Sequence, residues 1–300
     1  MKSDKADQSG SQRGIGPWRM AWRRFRRSRS ALIGLCLVAV MLAAAVAAPK
    51  LAPHSYSDEM RFEIVQRPSG KYWMGLDSLY RDVYSRALYG CRASLTISLG
   101  ATAIAVVIGV LFGALAGYAG GWVDEALMRV ADAFSAFPGI LLAVAIAAVF
   151  EDTSAAIVLM ALGLAGWSNL ARVIRSRTLS LREEEFVIAA RALGARPGRI
   201  ILRHVLPNCL ALIIVSATLL MAGNILGEAG LGFLGIGVKA PYPSWGGMLS
   251  PGETPFDPNC WWMIVFPGLA ICLTVLGFNL LGDGLRDALD PRSATGTPEA

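Results

Sequence analysis

Six stretches of this chain stay apolar for about the thickness of a bilayer, and that length leaves few folds open. Roughly 20 apolar residues in a helix span the ~30 Å hydrocarbon core. The stretches are 31–48, 94–118, 126–150, 155–171, 209–231 and 261–281, here TM1 to TM6 in chain order. In hydrocarbon every backbone N–H and C=O must be paired within the protein, which a helix does by itself. The expected fold is therefore all-α and integral to the membrane, with six transmembrane helices. Only 17% of the residues are charged, against about 25% in an average soluble domain.

Basic residues between the spans set their direction, because cytoplasmic loops carry the excess of Lys and Arg. Residues 1–30 form a basic tail in which Arg19, Arg23, Arg24, Arg26, Arg27 and Arg29 directly precede TM1. A cleaved signal peptide also begins basic and turns apolar. TM1 is longer than such a core and more spans follow, so it reads as retained, with Pro49 ending it. Segment 172–208 holds eight arginines, whereas 151–154 has no Lys or Arg and 232–260 has Lys239 alone. This places 172–208 and both termini in the cytoplasm and the other two loops outside. Segment 49–93 runs against the pattern with seven Lys and Arg. The net charge of +6 is explained by inter-span cations and is no sign of nucleic-acid binding.

Gly109, Gly113 and Gly117 share one face of TM2 and predict the close approach of another helix. Gly120-Gly121 predicts a turn. Glu125 and Arg129 are spaced for a helical ion pair, with Asp132 placed to join them, and Pro138-Gly139 predicts a kink in TM3. Asn224 and Glu228 late in TM5, and Asn279 in TM6, are polar groups at membrane depth. They are candidates for the substrate path or its gate, unless TM5 ends early enough to put Glu228 in interfacial water. Cys36, Cys91, Cys209, Cys260 and Cys272 form no disulfide framework and read as unpaired, although Cys91 and Cys260 fall on the same outer side. His54 and His204 have no partner at metal-ligand or triad spacing, and no GxxxxGK[ST] phosphate loop occurs. No catalytic residue, metal or cofactor is expected in this chain.

Segment 186–208 reads FVIAARALGARPGRIILRHVLPN. It is basic, lies between two spans and cannot itself cross a bilayer. Residues 172–191 have helical character, with good helix formers at 189–193. Gly194 offers a C-cap or tight turn, and Pro197 suits the first turn of a new helix. Leu206-Pro207 is expected to end that second helix, 198–205. The product is helix, glycine turn, helix, lying along the cytoplasmic surface. It suits either docking of a soluble partner or simple anchoring of the loop at the interface.

This stretch resembles the cytoplasmic coupling loop of binding-protein-dependent ABC importer permeases. Ala189-Ala190, Gly194 and Leu206-Pro207 hold the signature positions, and Ile188 stands where the signature often has Glu. Other stretches are similar to the peptide/nickel-type branch. Before TM2 these are Gly75-Leu76-Asp77, Arg81-Asp82-Val83 and Ser85-Arg86, with Tyr80 in place of a usual Gly. They continue with Gly120-Gly121-Trp122-Val123-Asp124, with 228–237 and Pro243-Ser244-Trp245-Gly246, and with 281–287 and Asp290-Pro291. TM1 and its basic preface resemble the extra N-terminal region of the second permease in such systems.

The resemblance implies a permease core at 94–290, preceded by TM1 and an extracytoplasmic segment at 31–93 and followed by a cytoplasmic tail at 291–300. It implies the transmembrane subunit of an ATP-dependent importer in the cytoplasmic (inner) membrane. The cargo would be di- or oligopeptides, or a related solute such as a nickel complex or glutathione. The partners would be a second homologous permease, cytoplasmic ATPases that bind ATP and Mg2+, and an extracytoplasmic solute-binding protein, all in membrane lipid. Phe186, Ala189, Ala190, Arg191, Gly194, Arg199, His204, Leu206 and Pro207 would couple to the ATPase. The reading it displaces is an ATPase-independent secondary transporter or channel, which more often shows inverted repeats and midplane charges.

Overall fold

The structure, a computed structural model, describes residues 17–60, 67–150, 154–254 and 258–289. The acidic loop at 151–153 and the terminal stretches 1–16 and 290–300 lie outside the described residues. Among the described residues the regular elements are helices: α1 (Pro17–Phe25), α2 (Arg29–Leu51), α3 (Val83–Ala119), α4 (Gly121–Ser135), α5 (Gly139–Ala148), α6 (Ala155–Arg182), α7 (Glu185–Ala192), α8 (Pro197–Ile200), α9 (Leu206–Phe233), α10 (Trp245–Met248) and α11 (Trp262–Leu289). One isolated antiparallel bridge joins Leu76 and Asp82.

Five helices are long and apolar enough to cross a membrane: α2, α3, α6, α11 and the run Pro197–Phe233, which contains α8 and α9. The pair α4 and α5 is apolar enough to cross only when taken together, and it is bent by 86° at the break between them, so the spans number five, or six with this pair counted as one. The sequence anticipates a kink here, and the structure makes a near right angle. Pro138 has no N–H to continue α4 and instead precedes α5 with φ −55° and ψ 126°. The Ser135 hydroxyl donates to the Ala131 carbonyl at 2.9 Å and lies 2.9 Å from the Ser168 hydroxyl, tying the end of α4 to α6.

Hydropathy locates the spans but not the helix ends. Pro49 does not terminate the first span: α2 runs to Leu51, and Ala52 N–H donates to the Ala48 carbonyl at 3.0 Å. Pro49 removes one donor from the ladder, and the helix continues only two residues beyond it. Helix α3 begins eleven residues before TM2 does, because the Asp82 carboxylate caps it by accepting from Ser85 N–H at 3.0 Å. Its 37 residues reach about 55 Å at 1.5 Å per residue, so it overhangs the hydrocarbon. Helices α6 and α11 overhang likewise, past the expected ends at 171 and 281.

Helix α3 lies against α6, with α9 and α2 also on it. The three spaced glycines are the reason. A Cβ on Gly109 would come 2.9 Å from the Trp167 carbonyl and one on Gly117 2.7 Å from that of Arg175, with Gly113 tighter still against Ala171. No side chain fits there, so the α3 and α6 backbones touch, as the spacing predicts.

Ion pairs sew the helices together at the two ends of the bundle. Arg175 holds Asp124 of α4 with two bonds of 2.5 and 2.6 Å. Arg172 reaches Asp132 at 3.0 Å. Asp132 therefore serves α6 and does not join the Glu125–Arg129 pair, which forms alone at 3.5 Å on the surface. At the opposite end, buried Arg81 and Arg86 share Asp77, at 2.7 and 3.3 Å, and both pair with Glu253. Asp77 also accepts the Leu79 and Arg81 N–H groups at 2.9 Å, shaping the 77–81 turn. Tyr80 closes that turn at φ +59°. The tyrosine thus adopts the left-handed backbone that a glycine takes without strain. All five cysteines are free, as expected.

Two substitutions test these contacts by thermal unfolding of the purified protein in detergent. Gly113→Leu should overpack the α3–α6 contact and cost about 1–3 kcal/mol, with Gly113→Ala less severe. Tyr80→Gly should raise the unfolding midpoint, since left-handed backbone costs an L-residue roughly 1–2 kcal/mol, partly offset by glycine's entropy.

Candidate functional site

The arginine-rich segment between α6 and α9 forms a compact elbow whose inner side is fixed. Arg182 ends α6 and Glu185 opens α7. That order suits both helix dipoles, a cation at a C-terminus and an acid at an N-terminus. The expected helix over 172–191 is therefore two helices, broken at Glu183-Glu184. Val187, Ile200 and Val205 are fully buried and pack with Ile174, Leu181 and Cys209. They clamp α7 to α6 and to the root of α9.

Helix α7 closes with a Schellman turn. Gly194 N–H donates to the Arg191 carbonyl at 3.0 Å, and Ala195 N–H reaches back to Ala190 at 3.1 Å. These are the two hydrogen bonds of that motif, and they require a left-handed residue between them. Gly194 fills the position at φ +78°, with open space where a Cβ would lie. Pro197 then takes the first turn of α8, as its fixed φ favours.

The second helix does not stop at Leu206-Pro207. Helix α8 passes through a π-turn at Ile201–Val205 directly into α9. Leu206 N–H donates to Ile201, five residues back. This wider register makes room for the Pro207 ring, which would clash with a carbonyl in an unbroken α-helix. The Asn208 amide donates to the His204 carbonyl at 2.6 Å. What looked like a separate surface helix is the root of the fifth span, one continuous run over Pro197–Phe233 that starts at the turn after α7.

The expected coupling residues gather on this elbow. Phe186 is 41% exposed and its ring lies 6.3 Å from that of His204. Ala189, Gly194, Arg199 and Pro207 are exposed, and Ala190 and Leu206 are half-buried. Arg191 lies over the Tyr118 ring at 5.7 Å, linking α7 to the end of α3. Ile188 and Leu193, absent from the expected set, are 50% and 88% exposed. An apolar side chain exposed on a positioned turn is the signal that would have found Leu193.

The intramembrane polar residues do not form one cluster. Asn224 is buried and donates to the Thr102 hydroxyl at 2.8 Å. It borders a cavity of about 310 Å³ beside the α4–α5 break, with Gly139, Gly166 and Gly223 in its wall. Asn279 is exposed on α11, apart from the other two. Glu228 is 1% exposed, so interfacial water does not reach it. It faces the Ser94 and Ser244 hydroxyls, yet neither carboxylate oxygen closes a hydrogen bond of normal geometry. Those serines belong to a latch: the Ser94 hydroxyl accepts Trp245 N–H at 3.2 Å, and Trp245 Nε1 donates to Ala87 at 3.0 Å. Glu228 therefore lies under α10, where that short helix is pinned to α3.

Beside the latch, Tyr56, Tyr89 and Tyr242 form a ring cluster with centroids 4.9 and 5.6 Å apart. They wall a cavity of about 710 Å³ that also meets Arg92 and Lys239. Burial, then the neighbouring Tyr242, pushes the Tyr56 phenol above its ordinary value, so it remains a neutral donor at neutral pH. Among the described residues no group of three or more His, Cys, Asp or Glu is placed to hold a metal ion.

Residues 109–295 match the family described as the inner membrane component of binding-protein-dependent transport systems. Residues 16–68 match the N-terminal transmembrane domain of oligopeptide transport permease C. The chain is 44% identical to the dipeptide transport system permease protein DppC of Alkalihalophilus pseudofirmus, over 93% of this chain and 91% of that protein. It is 37% identical to the oligopeptide transport system permease protein OppC of Bacillus subtilis, over 94% and 92%. It is 40% identical to the glutathione transport system permease protein GsiD of Pectobacterium atrosepticum, over 92% and 91%.

The latch geometry gives a direct expectation for Glu228. A buried charge without partners is costly, and Glu228→Gln removes the charge while adding a donor for the serine hydroxyls. Its thermal midpoint should equal or exceed that of the parent, whereas Glu228→Lys should fail to give folded protein. A clear drop for Glu228→Gln would show that the carboxyl group itself is needed there.

Proposed function

The chain belongs to the family of binding-protein-dependent transport system inner membrane components, and from that premise we propose that it is the transmembrane subunit of an ABC importer for short peptides. The cargo reading is supported by the names of its relatives, which transport dipeptides, oligopeptides and glutathione, all amide-linked chains of amino acids. The single observation that carries the mechanism is the elbow at 185–207: packed inside, with exposed apolar side chains set among exposed arginines outside, and joined through Pro197–Val205 to α9. A cytoplasmic ATPase docks on the face carrying Phe186, Ala189 and Arg199. Closure of the ATPase dimer on ATP and Mg2+ moves α7, and the unbroken helix from Pro197 carries that motion into the membrane.

In this reading both termini and the elbow face the cytoplasm, and α10 with its latch faces outward. A second homologous permease completes the path, and a solute-binding protein delivers cargo at the α10 end. Asn224 borders the path and Glu228 lies beneath the latch, where its unpaired carboxyl group makes it a gate residue. This chain performs no bond chemistry and contributes no ATP site; it converts the ATPase stroke into exposure of the path on one side or the other.

The test is ATP-driven uptake of a labelled dipeptide by the reconstituted importer, with its binding protein and ATPases present. Gly194→Val forces a β-branched residue into left-handed backbone, a strain of about 1–3 kcal/mol. Uptake should fall at least about tenfold, and the ATPase should co-purify less well. Gly194→Asn should keep most activity, since Asn tolerates that conformation. Uptake that proceeds without ATP, or is unchanged in Gly194→Val, would overturn the coupling role.

A further inference from the structure

The cavity of about 710 Å³ beside the latch takes no part in coupling, yet its wall has a definite chemistry. Its volume falls within the roughly 300–1,000 Å³ of small-molecule sites. One wall is a single stripe of α3. Tyr89, Arg92, Ala93 and Thr96 line the cavity and follow at the three- and four-residue spacing that puts side chains on one helix face. The Thr96 hydroxyl donates to the Arg92 carbonyl at 2.7 Å. The facing wall is the loop between α9 and α10, which supplies Lys239 and Tyr242. Tyr56 joins the two walls, its ring 4.9 Å from that of Tyr89 and 5.6 Å from that of Tyr242.

The charges in this wall are of one sign. Arg92 and Lys239 line the cavity and are exposed, and among the described residues no Asp or Glu lines it. Arg92 forms no ion pair with a described residue, whereas Arg81, Arg86, Arg172 and Arg175 each hold a carboxylate. The tyrosine hydroxyls add donors to the cations. The remaining wall is apolar, with the tyrosine rings beside Ile97 and Val238. Such a cavity suits a ligand with an anionic end and an apolar body. A guanidinium meets a carboxylate with paired donors, and aromatic faces pack an apolar or aromatic side chain. An inorganic anion would leave the rings unused, and a neutral apolar molecule would leave the cations unused.

We propose that the cavity between α3 and the α9–α10 loop binds the C-terminal residue of a short peptide, its carboxylate on Arg92 beside Lys239 and its side chain among Tyr56, Tyr89 and Tyr242. The choice of a peptide rests on the importer reading, whereas the preference for a carboxylate joined to an apolar group rests on the cavity. The loop that carries Lys239 and Tyr242 runs directly into Ser244 and Trp245 of the latch. Cargo held here therefore touches the segment that pins α10 to α3.

The experiment is a saturation-transfer NMR titration of the whole importer in nanodiscs, without nucleotide or binding protein. The ligands are the dipeptide Ala-Phe and its C-terminal amide, which lacks the carboxylate. The parent should bind the acid at least about tenfold more tightly than the amide, the usual worth of a hydrogen bond to a charged group. Arg92→Gln should bring the acid down to the level of the amide, and Arg92→Lys, which keeps the charge, should retain most of the preference. Tyr89→Ala should weaken acid and amide alike. Equal binding of acid and amide by the parent would overturn the proposal, and is the result expected if carboxylates of this chain, such as Glu151 or Asp152, already neutralise the two cations. A preference that survives Arg92→Gln would overturn it too. ATP-driven uptake by the same preparation keeps the two readings apart. Uptake without a preference for the acid removes the site and leaves the importer, whereas a preference for the acid without uptake removes the peptide cargo and leaves the site.

Discussion

The contact between α3 and α6 is the constraint on which the rest of the structure depends. In a bilayer the lipid is as apolar as the helices, so hydrophobicity does not drive them together. Close packing and polar bonds must do so. Gly109, Gly113 and Gly117 let the α3 backbone rest on the carbonyls of Trp167, Ala171 and Arg175. Once that line is set, α6 is placed along its whole length, and the features at both ends follow from it.

At one end α6 continues past the hydrocarbon and brings Arg172 and Arg175 opposite Asp132 and Asp124. This fixes α4 and leaves Arg182 to finish the helix. The chain then turns into α7, whose Val187 returns to the same core as Ile174. The elbow is thus a rigid extension of the α3–α6 pair on one side and of α9 on the other. At the other end α3 overhangs as well, and its first turns carry Arg86 into the network with Asp77 and Glu253. Breaking one partner of such a buried set leaves an uncompensated charge and typically costs 3–5 kcal/mol, which makes this network a firm seat for the loops above the bundle.

What could be read from the sequence divides along physical lines. The spans were legible because hydrocarbon thickness acts as a ruler on apolar runs. The glycine stripe and the turn at Gly194 were legible because both depend on backbone geometry that only glycine meets cheaply. Helix ends were not, since caps such as Asp82 and ion pairs such as Arg175 with Asp124 decide them, and those partners are far apart in sequence. Arginines 172 and 175 read as topology signals, and their sign alone could not show that each holds a carboxylate of α4. Pro207 read as a helix end because the sequence rule assumes an α register, and the π-turn before it removes the clash on which the rule depends. Leu193 was passed over because a leucine in an apolar chain carries no message until its exposure is known. Asn224, Glu228 and Asn279 were found by polarity, but only the fold separates the buried pair from the exposed Asn279.

The two ends differ in how they treat local rules. At the turn from α7 to α8 the local rules are kept: a Schellman turn with glycine in place, proline in a first turn, and Glu185 and Arg191 at the α7 ends that favour them. Near α10 two rules are broken together. Tyr80 holds a left-handed backbone, and Glu228 is buried without a closed hydrogen bond. Sequences that are otherwise self-consistent tend to concentrate such violations at working sites. In the proposed importer the stroke would enter at the elbow, whose Schellman turn and buried Val187 fix its shape. The gate proposed at α10 would lie beside the left-handed Tyr80 and over the unpaired Glu228, the place where local preference and tertiary structure disagree and where a movement would relieve strain.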